Sequence, residues 1–378
     1  MKASTVKTWH WIHKWTSLVC TIFALLLCIT GLPLIFVHEI DRALGKTVAP
    51  RAVSAQEDEA FTRGGRRARV DAMIDDALRR RPGTVVQFLS KDDDDDELYY
   101  VRLGASPSAE RAAAVYAYDG RTGAMLAQYP LDQGVMNVVI RLHTDLFAGL
   151  PGMLFLGLMG IVLIASIVSG VVLYAPYMQR LAFGSIRAGR TPRILWLDIH
   201  NLIGIATLGW FFVVSVTGVV NTLSGPIFDR WKQTELAAML APYREEPVHG
   251  AGTMVPQRAL EAALARVPDT ELGFMAFPGG SFAGPGQFVV FLRGNTPWRE
   301  KLLTPVLLDA RDGCVLDTRA LPLYVTALLV SQPLHFGDYG GLSLKITWLV
   351  LDLLSIVLLG SGLYLWLRKR SPPSGAIA

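Results

Sequence analysis

Cysteine and charged residues are both scarce in this chain of 378 residues. The three cysteines, Cys20, Cys28 and Cys314, are too scattered to form a disulfide framework, and no C-x-x-C-H run is present to attach a c-type haem covalently. Only 18% of the residues are charged, 51% are hydrophobic, and the mean hydropathy is +0.36. This balance excludes an ordinary soluble protein. The net charge of +4 gives no reason to expect a nucleic-acid partner.

The sequence has long apolar runs instead. A helix that crosses the hydrocarbon core needs roughly 20 apolar residues, and four runs reach that length, at residues 16–37, 150–178, 199–228 and 346–367. The first run is too long for a secretory signal peptide and no small-residue cleavage site follows it, so we expect a retained helix. The sequence therefore predicts a multi-pass protein of the lipid bilayer, with one acid, Asp352, inside the fourth run.

Basic residues indicate the orientation in the membrane. The N-terminus, the short loop after the second run and the C-terminal tail contain lysine and arginine but no acidic residue. By the positive-inside rule these three segments are cytoplasmic and the two long segments are external. The predicted order is an N-terminus with helix one at 1–38, external domain one at 39–149, helix two at 150–178, a cytoplasmic loop at 179–195, helix three at 196–228, external domain two at 229–342, helix four at 343–367 and a cytoplasmic tail at 368–378.

The two halves of the chain repeat one pattern, in which a histidine precedes a hydroxyl-glycine pair at a fixed spacing. The spacing from His13 to Thr30-Gly31 recurs from His200 to Thr217-Gly218, and the spacing from His143 to Ser169-Gly170 recurs from His335 to Ser361-Gly362. Chance is the alternative, because such small-residue pairs are common in membrane helices. Two independent matches in a chain with seven histidines favour a repeat. Since both copies start on the cytoplasmic side, the repeat is parallel, about an axis along the membrane normal.

Each external segment has the pattern of a helix followed by strands. The helices are "RVDAMIDDALRRRPG" and "QRALEAALARVPD", and alternating apolar residues with glycine-bearing turns follow both. Each segment closes on an aspartate with a glycine four residues later, namely Asp119 with Gly123 and Asp309 with Gly313. The predicted fold class is a mainly α membrane protein, a four-helix bundle built as a parallel two-fold repeat, with two external α+β domains.

The repeat selects four histidines as candidate ligands. His13 and His200 begin helices one and three at the cytoplasmic face, whereas His143 and His335 precede helices two and four at the external face. A single histidine at a helix end is more often an interfacial hydrogen-bonding group, but paired imidazoles at equal depth are typical of b-type haem ligation. His10 has no equivalent in the other half and stays open as a rival of His13.

Further residues are candidates for contact with such a group. Four glycines, 18 or 27 residues after a histidine of the repeat, reach the opposite layer and would let a flat macrocycle approach, with ordinary helix packing as the alternative. They are Gly31, Gly218, Gly170 and Gly362. Arg141 and Lys345 are candidates for pairing with haem propionates at the external face. Asp352 is either a proton relay or a protonated structural group.

Four stretches resemble the PepSY-associated transmembrane family: "WIHKWTSLV" with "ITGLPLIF", "RLHTDLFAGLPGM", "DIHNLIGI" with "SVTGVVN", and "PLHFGDYGGL". This resemblance implies that the external domains are PepSY-like and periplasmic, and that the protein is similar to bacterial inner-membrane ferrisiderophore reductases. It further implies two b-type haems per chain, one held by His13 with His200 and one by His143 with His335, which pass electrons to a ferric siderophore. Reduction to Fe(II) weakens the hold of hard oxygen ligands and so releases iron for uptake.

Several alternatives stay open. The chain could be a non-enzymatic periplasmic binding or assembly protein with incidental histidines, and a metal permease ranks last because only Asp352 is polar near mid-membrane. No flavin or nicotinamide fingerprint is present, so the electron donor is a quinol, a reduced flavin or a reductase protein. The acidic run at 92–97 is more typical of a solvated hairpin tip than of a cation site.

Overall fold

The computed structural model describes residues 3–45, 48, 68–93, 95–129, 131, 134–178, 182–245, 254–296 and 299–368. Within these the helices are α1 (Ala3–Ile35), α2 (Val37–Ala43), α3 (Val70–Arg80), α4 (Val135–Thr144), α5 (Leu150–Met178), α6 (Pro192–Asn221), α7 (Ser224–Trp231), α8 (Ala237–Leu240), α9 (Pro256–Arg266), α10 (Leu323–Phe336) and α11 (Gly341–Leu367). The strands are β1 (Val85–Lys91), β2 (Leu98–Gly104), β3 (Ala112–Asp119), β4 (Met125–Gln128), β5 (Thr270–Ala276), β6 (Gln287–Gly294), β7 (Leu303–Asp309) and β8 (Val315–Thr318). Asp94 of the acidic run, Arg180, His249 and the tail from 369 lie outside the described residues.

The chain divides into two compact units. The helical unit comprises residues 1–37, 134–225 and 331–378, and the sheet unit comprises residues 38–133 and 226–330. These limits differ from the predicted domain boundaries at 149 and 342, because α4 and the C-terminal end of α10 belong to the helical unit. Both segments are short apolar helices that precede a membrane helix, and their length alone does not predict on which side of a boundary they pack.

Four helices of the helical unit, α1, α5, α6 and α11, are long and apolar enough to cross a membrane. They confirm the prediction of a multi-pass membrane protein. A small interior cluster packs where they meet, with Cys28, Phe211 and Leu359 among its buried members. Helices α1 and α5 run in opposite directions, since Gly170 faces His13 and Gly31 faces His143. Exposed leucine, isoleucine and valine side chains cover the outer faces of these helices, as expected in contact with lipid.

The sheet unit contains one antiparallel sheet of eight strands in the order β4-β3-β2-β1-β5-β6-β7-β8. Each predicted helix and its strands form as expected, but the two segments do not form separate sheets. Strands β1 and β5 pair, with Leu89 opposite Met275, and so join the halves. The physical reason is that each half alone would leave the hydrogen-bonding groups of its edge strand unpaired. Two external α+β domains were predicted, and the structure combines their strands in one unit.

Helices α3 and α9 cover one face of this sheet over a shared apolar core that includes Met73, Leu89, Leu260 and Met275. The two helices also cap each other. The Gln257 side chain accepts a hydrogen bond from the Val70 backbone N–H, and the Asp71 carboxylate accepts one from the Gln257 backbone N–H, both at 2.9 Å. Each helix thereby satisfies a free N–H at the start of the other.

Within the described part of the acidic run at 92–97, Asp93 and Asp96 are exposed and are also paired. Arg293 of β6, whose side chain is buried, forms ion pairs with Asp93 and with Glu271 of β5. Lys91 similarly pairs with Asp96 and with Glu271. The run therefore ties the β1–β2 hairpin to strands from the second half of the chain.

Candidate functional site

The four predicted histidines all lie in the helical unit. His13 is on α1 and His200 on α6, whereas His143 and His335 are near the ends of the short helices α4 and α10. All four side chains are partly buried. His10, the rival of His13, is exposed on the same helix, which favours His13 as the residue with a role in the interior.

His13 and His200 define layer 1, and each contacts a carbonyl and a hydroxyl of a facing helix. The Nδ1 atom of His13 is 2.9 Å from the carbonyl oxygen of Ser166 and 3.2 Å from the hydroxyl of Ser169. In the second half, His200 Nδ1 is 3.2 Å from the Leu358 carbonyl oxygen and 2.9 Å from the Ser361 hydroxyl. His13 also lies near enough to His200 to act on it electrostatically.

His143 and His335 define layer 2, where threonine replaces serine. His335 Nδ1 is 3.0 Å from the Val214 carbonyl oxygen and 3.2 Å from the Thr217 hydroxyl. His143 Nδ1 is 2.8 Å from the Thr30 hydroxyl, and it also hydrogen-bonds the Leu27 carbonyl.

The two imidazoles of layer 2 face each other. Their ring centroids are 6.3 Å apart and their planes are inclined by 68°. A metal ion bound by one nitrogen of each ring, at the 2.0–2.1 Å distance typical of zinc, would separate the centroids by roughly 6.4 Å. That value holds when the two nitrogens bind the metal from opposite sides, and the observed centroid spacing is close to it.

These contacts determine which ring nitrogen carries the proton. A carbonyl oxygen only accepts hydrogen bonds, so each Nδ1 atom that contacts one must be protonated and must donate. A neutral imidazole then keeps its lone pair on Nε2. None of the four Nε2 atoms is hydrogen-bonded to another residue within the described part of the chain. A protonated Nδ1 on a carbonyl with a free Nε2 is the usual arrangement of a histidine that binds a metal.

Neutral imidazoles are also what the local environment favours in layer 2. Burial lowers the pKa of His335 to about 4. Burial, and next the neighbouring His335, lowers the pKa of His143 to about 3. Both rings are therefore uncharged near pH 7, which is the form that can donate a lone pair to a metal.

The predicted glycines lie against the imidazole rings. A Cβ atom on Gly170 would be 3.1 Å from Cε1 of His13, and one on Gly218 would be 3.1 Å from Cε1 of His335. The corresponding distances are 3.3 Å from Gly362 to His200 and 3.5 Å from Gly31 to His143. Gly170, Gly218 and Gly362 thus leave room for the histidine ring close to the facing backbone, whereas the distance at Gly31 is an ordinary van der Waals contact. Contact of these glycines with a haem stays a prediction.

Other predicted residues have separate environments. The Arg141 guanidinium lies 5.0 Å from the ring centroid of Phe147, and its pairing with a propionate is untested, as is that of Lys345. Asp352 is buried, hydrogen-bonds the Cys28 thiol, and would lie 3.6 Å from a Cβ on Gly31. This places Asp352 beside layer 2.

One feature of the site, the contact of four hydroxyls with the histidines, could not be assigned from the sequence. The hydroxyls of Thr30, Ser169, Thr217 and Ser361 marked the repeat, but their contact with Nδ1 was not predicted; their position before each glycine was the available signal. Among the described residues no three His, Cys, Asp or Glu side chains cluster as a metal site. Within the described ranges, each layer thus offers an isolated metal ion two histidine ligands, fewer than the four ligands that structural zinc takes.

The fold and the site together define a multi-pass membrane protein that combines paired histidines in its helical unit with an antiparallel sheet unit. The chain belongs to the family of the PepSY-associated TM region, whose model matches residues 10–369. It is also similar to a Pseudomonas aeruginosa protein described as "Uncharacterized protein PA4219", with 28% identity over 270 residues. That match covers 62% of this chain and 64% of the relative, so the chain spans less than two thirds of the relative's length.

Proposed function

We propose that the protein is a transmembrane oxidoreductase of the bacterial inner membrane that holds two b-type haems and reduces a ferric siderophore in the periplasm. The observation that carries this proposal is the fourfold arrangement of histidines, each with Nδ1 on a carbonyl and a hydroxyl and with Nε2 free. His13 and His200 would hold one haem, and His143 and His335 the other. A bound b-type haem supplies an iron that accepts and releases one electron.

The proposed direction of electron transfer follows from charge. The N-terminal segment, the loop at 179–195 and the C-terminal tail lie next to the helix ends of layer 1 in the sequence and contain lysine and arginine but no acid. The proposal therefore assigns layer 1 to the cytoplasmic face and layer 2 to the periplasmic face. The donor is a quinol, a reduced flavin or a reductase protein on the layer 1 side. Each ferric ion takes one electron and leaves its oxygen ligands as Fe(II). The two halves of the chain are proposed to be copies of one unit in a parallel two-fold repeat, each with one PepSY-like α+β portion.

An absorption spectrum of the purified full-length protein, oxidised and then reduced with dithionite, tests the proposal together with haem quantified per chain. We expect a b-type spectrum with two haems per chain. The His13→Ala and His200→Ala variants should each lose one haem, and the same one, whereas His143→Ala and His335→Ala should lose the other. His10→Ala is the matched control and should keep both.

A haem-replete preparation that transfers no electron to any ferric siderophore would disprove the reductase but keep the haem sites. Wild-type protein that binds no haem after expression with haem supplied would leave a PepSY binding or assembly protein as the better hypothesis.

A further inference from the structure

Each hydroxyl beside the four histidines takes part in two hydrogen bonds, one to a backbone carbonyl of its own helix and one with an imidazole Nδ1. Thr30 donates its hydroxyl hydrogen to the Leu26 carbonyl at 2.7 Å, and Thr217 donates to the Val213 carbonyl at 2.7 Å. Ser169 and Ser361 donate to the carbonyls three residues before them, at 2.8 and 2.7 Å. Because the only hydrogen of each hydroxyl is used within its own helix, its oxygen can only accept from the imidazole Nδ1–H.

Each of the four hydroxyls contacts one layer, while the histidine on the same helix, or on the short helix just before it, belongs to the other layer. Helix α1 carries His13 of layer 1 but contributes Thr30 to layer 2. Helix α6 carries His200 of layer 1 and contributes Thr217 to layer 2. In the opposite sense, Ser169 and Ser361 follow the layer 2 histidines along the chain and contact layer 1.

We propose that four hydroxyl residues are positioning residues that orient the imidazoles and tune the reduction potentials of the two haems. Thr30 and Thr217 act on layer 2, and Ser169 and Ser361 act on layer 1. This inference rests on the proposed function. Hydrogen bonds from Nδ1–H raise the basicity of Nε2 and fix the plane of the ring. A more basic ligand stabilises Fe(III), so each hydroxyl lowers the reduction potential of the haem in its layer.

Ordinary back-bonding of serine and threonine is the plain explanation for such hydroxyls in membrane helices, and it requires only the carbonyl of the preceding turn. Thr21 of α1 provides that case within the same helix. Its hydroxyl donates to the Ser17 carbonyl and contacts no histidine in the part of the chain that the structure describes. The two threonines therefore differ in the contact with Nδ1, which makes Thr21 a matched control for Thr30.

The test is a spectroelectrochemical titration of the full-length protein with both haems bound. Thr30→Val removes the acceptor but keeps the shape of the side chain, and it should raise one of the two midpoint potentials and leave the other unchanged. The layer is assigned in a His143→Ala background, where Thr30→Val should have no effect on the remaining haem. Thr30→Ser should restore the wild-type potential, and Thr21→Val should shift neither. Ser169→Ala should raise the other potential.

Each result decides for or against the proposal. Selective loss of the layer 2 haem in Thr30→Val, restored in Thr30→Ser, also supports positioning. A shift of both potentials, a shift of the haem that His13 binds, or an equal shift in Thr21→Val would overturn it. Wild-type protein with two haems and potentials that Thr30→Val does not move would overturn this inference and leave the proposed function intact. Wild-type protein without haem would overturn both.

Discussion

At the scale of single residues, two glycines of α11 differ in their packing: Gly362 lies against an imidazole ring and Gly360 does not. A Cβ on Gly362 would lie 3.3 Å from Cε1 of His200, whereas a Cβ on Gly360 meets no atom within 4 Å. The two positions share a helix and differ in what they face. The space beside Gly362 is therefore set by the ring of His200, and any added methyl group has to displace it.

Gly362→Ala should lower the stability of the protein by about 1–2 kcal/mol, because an added methyl group in a filled site forces its neighbours to move. Gly360→Ala should be neutral or slightly stabilising, since alanine favours a helix by up to about 1 kcal/mol over glycine. Thermal unfolding of the two variants in detergent micelles measures the difference. Equal apparent Tm values for the two would show that the ring of His200 is not held in this position.

A second residue-scale prediction concerns the ion pair that anchors the loop before α6. The buried Asp198 carboxylate accepts hydrogen bonds from the Arg187 side chain at 2.8 and 3.0 Å and from its backbone N–H at 2.9 Å. The Arg187 side chain is 35% exposed and that of Asp198 is 0% exposed. Removal of arginine thus leaves a buried carboxylate, whereas removal of aspartate leaves a cation that can turn toward water.

Arg187→Ala should therefore cost about 2–3 kcal/mol of stability, more than the roughly 1 kcal/mol expected for Asp198→Ala. The double variant Arg187→Ala/Asp198→Ala should recover part of the larger loss, because no charge is then left without its partner. Chemical denaturation of the three variants provides the comparison. A greater loss in Asp198→Ala than in Arg187→Ala would contradict the ranking.

Sequence spacing predicts the identity of the paired residues better than it predicts their contacts. The repeat singles out His13, His200, His143 and His335, and in the structure the centroids of the two layer 2 rings are 6.3 Å apart. The hydroxyl contacts were missed because they depend on how two helices are rotated against each other, which spacing along one helix does not specify. For the same reason, spacing does not predict that the glycines contact the imidazole rings, and their contact with a macrocycle stays a prediction.

At the scale of elements, the junction between β1 and β5 joins two segments that are far apart in sequence. Arg293 donates a hydrogen bond to Glu271 at 2.8 Å and another to the backbone carbonyl of Asp92 at 2.6 Å. Lys301 reaches the same hairpin through Asp93, at 3.3 Å. The Arg293 side chain is only 5% exposed, so its contacts are shielded from solvent far more than those of Lys301.

Arg293→Gln should open the β1–β2 hairpin locally, because a buried arginine makes several contacts that glutamine cannot reproduce. The backbone amides of the β1–β2 hairpin should exchange hydrogen about 10-fold faster, which corresponds to a decrease of about 1.4 kcal/mol in the free energy of local opening. Lys301→Gln, which removes one exposed and longer ion pair, should change the exchange little. Hydrogen-exchange mass spectrometry of the full-length chain reports both. Unchanged hairpin protection in Arg293→Gln would mean that strand pairing alone holds this edge.

The strands of the sheet unit could be predicted individually, since alternation and glycine turns are local signals. The single eight-stranded sheet could not be predicted, because the pairing of one edge strand with another depends on long-range contacts and has no local sequence signal in either segment. Leu89 and Met275 belong to segments that the sequence predicts as separate domains, and their pairing in the structure shows that the two segments share one core.

At the scale of the whole molecule, the proposed orientation depends on which side of the membrane the sheet unit occupies, and the native cysteines offer a direct measurement. Cys314 is exposed in the turn between β7 and β8, whereas Cys20 and Cys28 are buried in α1. A hydrogen bond to Asp312 raises the pKa of the Cys314 thiol. Since the thiolate is the reactive form, labelling should be slow at neutral pH and should accelerate as the pH rises toward that raised pKa.

A membrane-impermeant maleimide applied at pH 8 and above should label wild-type protein in right-side-out spheroplasts but not in sealed inverted vesicles. Cys314→Ser is the control and should remain unlabelled in both, because the remaining thiols are buried among membrane helices. Labelling confined to inverted vesicles would place the sheet unit in the cytoplasm. In the sequence, His143 and His335 lie between the sheet-unit segments and the membrane helices α5 and α11. Layer 2 would then be assigned to the cytoplasmic side, and the proposed direction of electron transfer would have to be reversed.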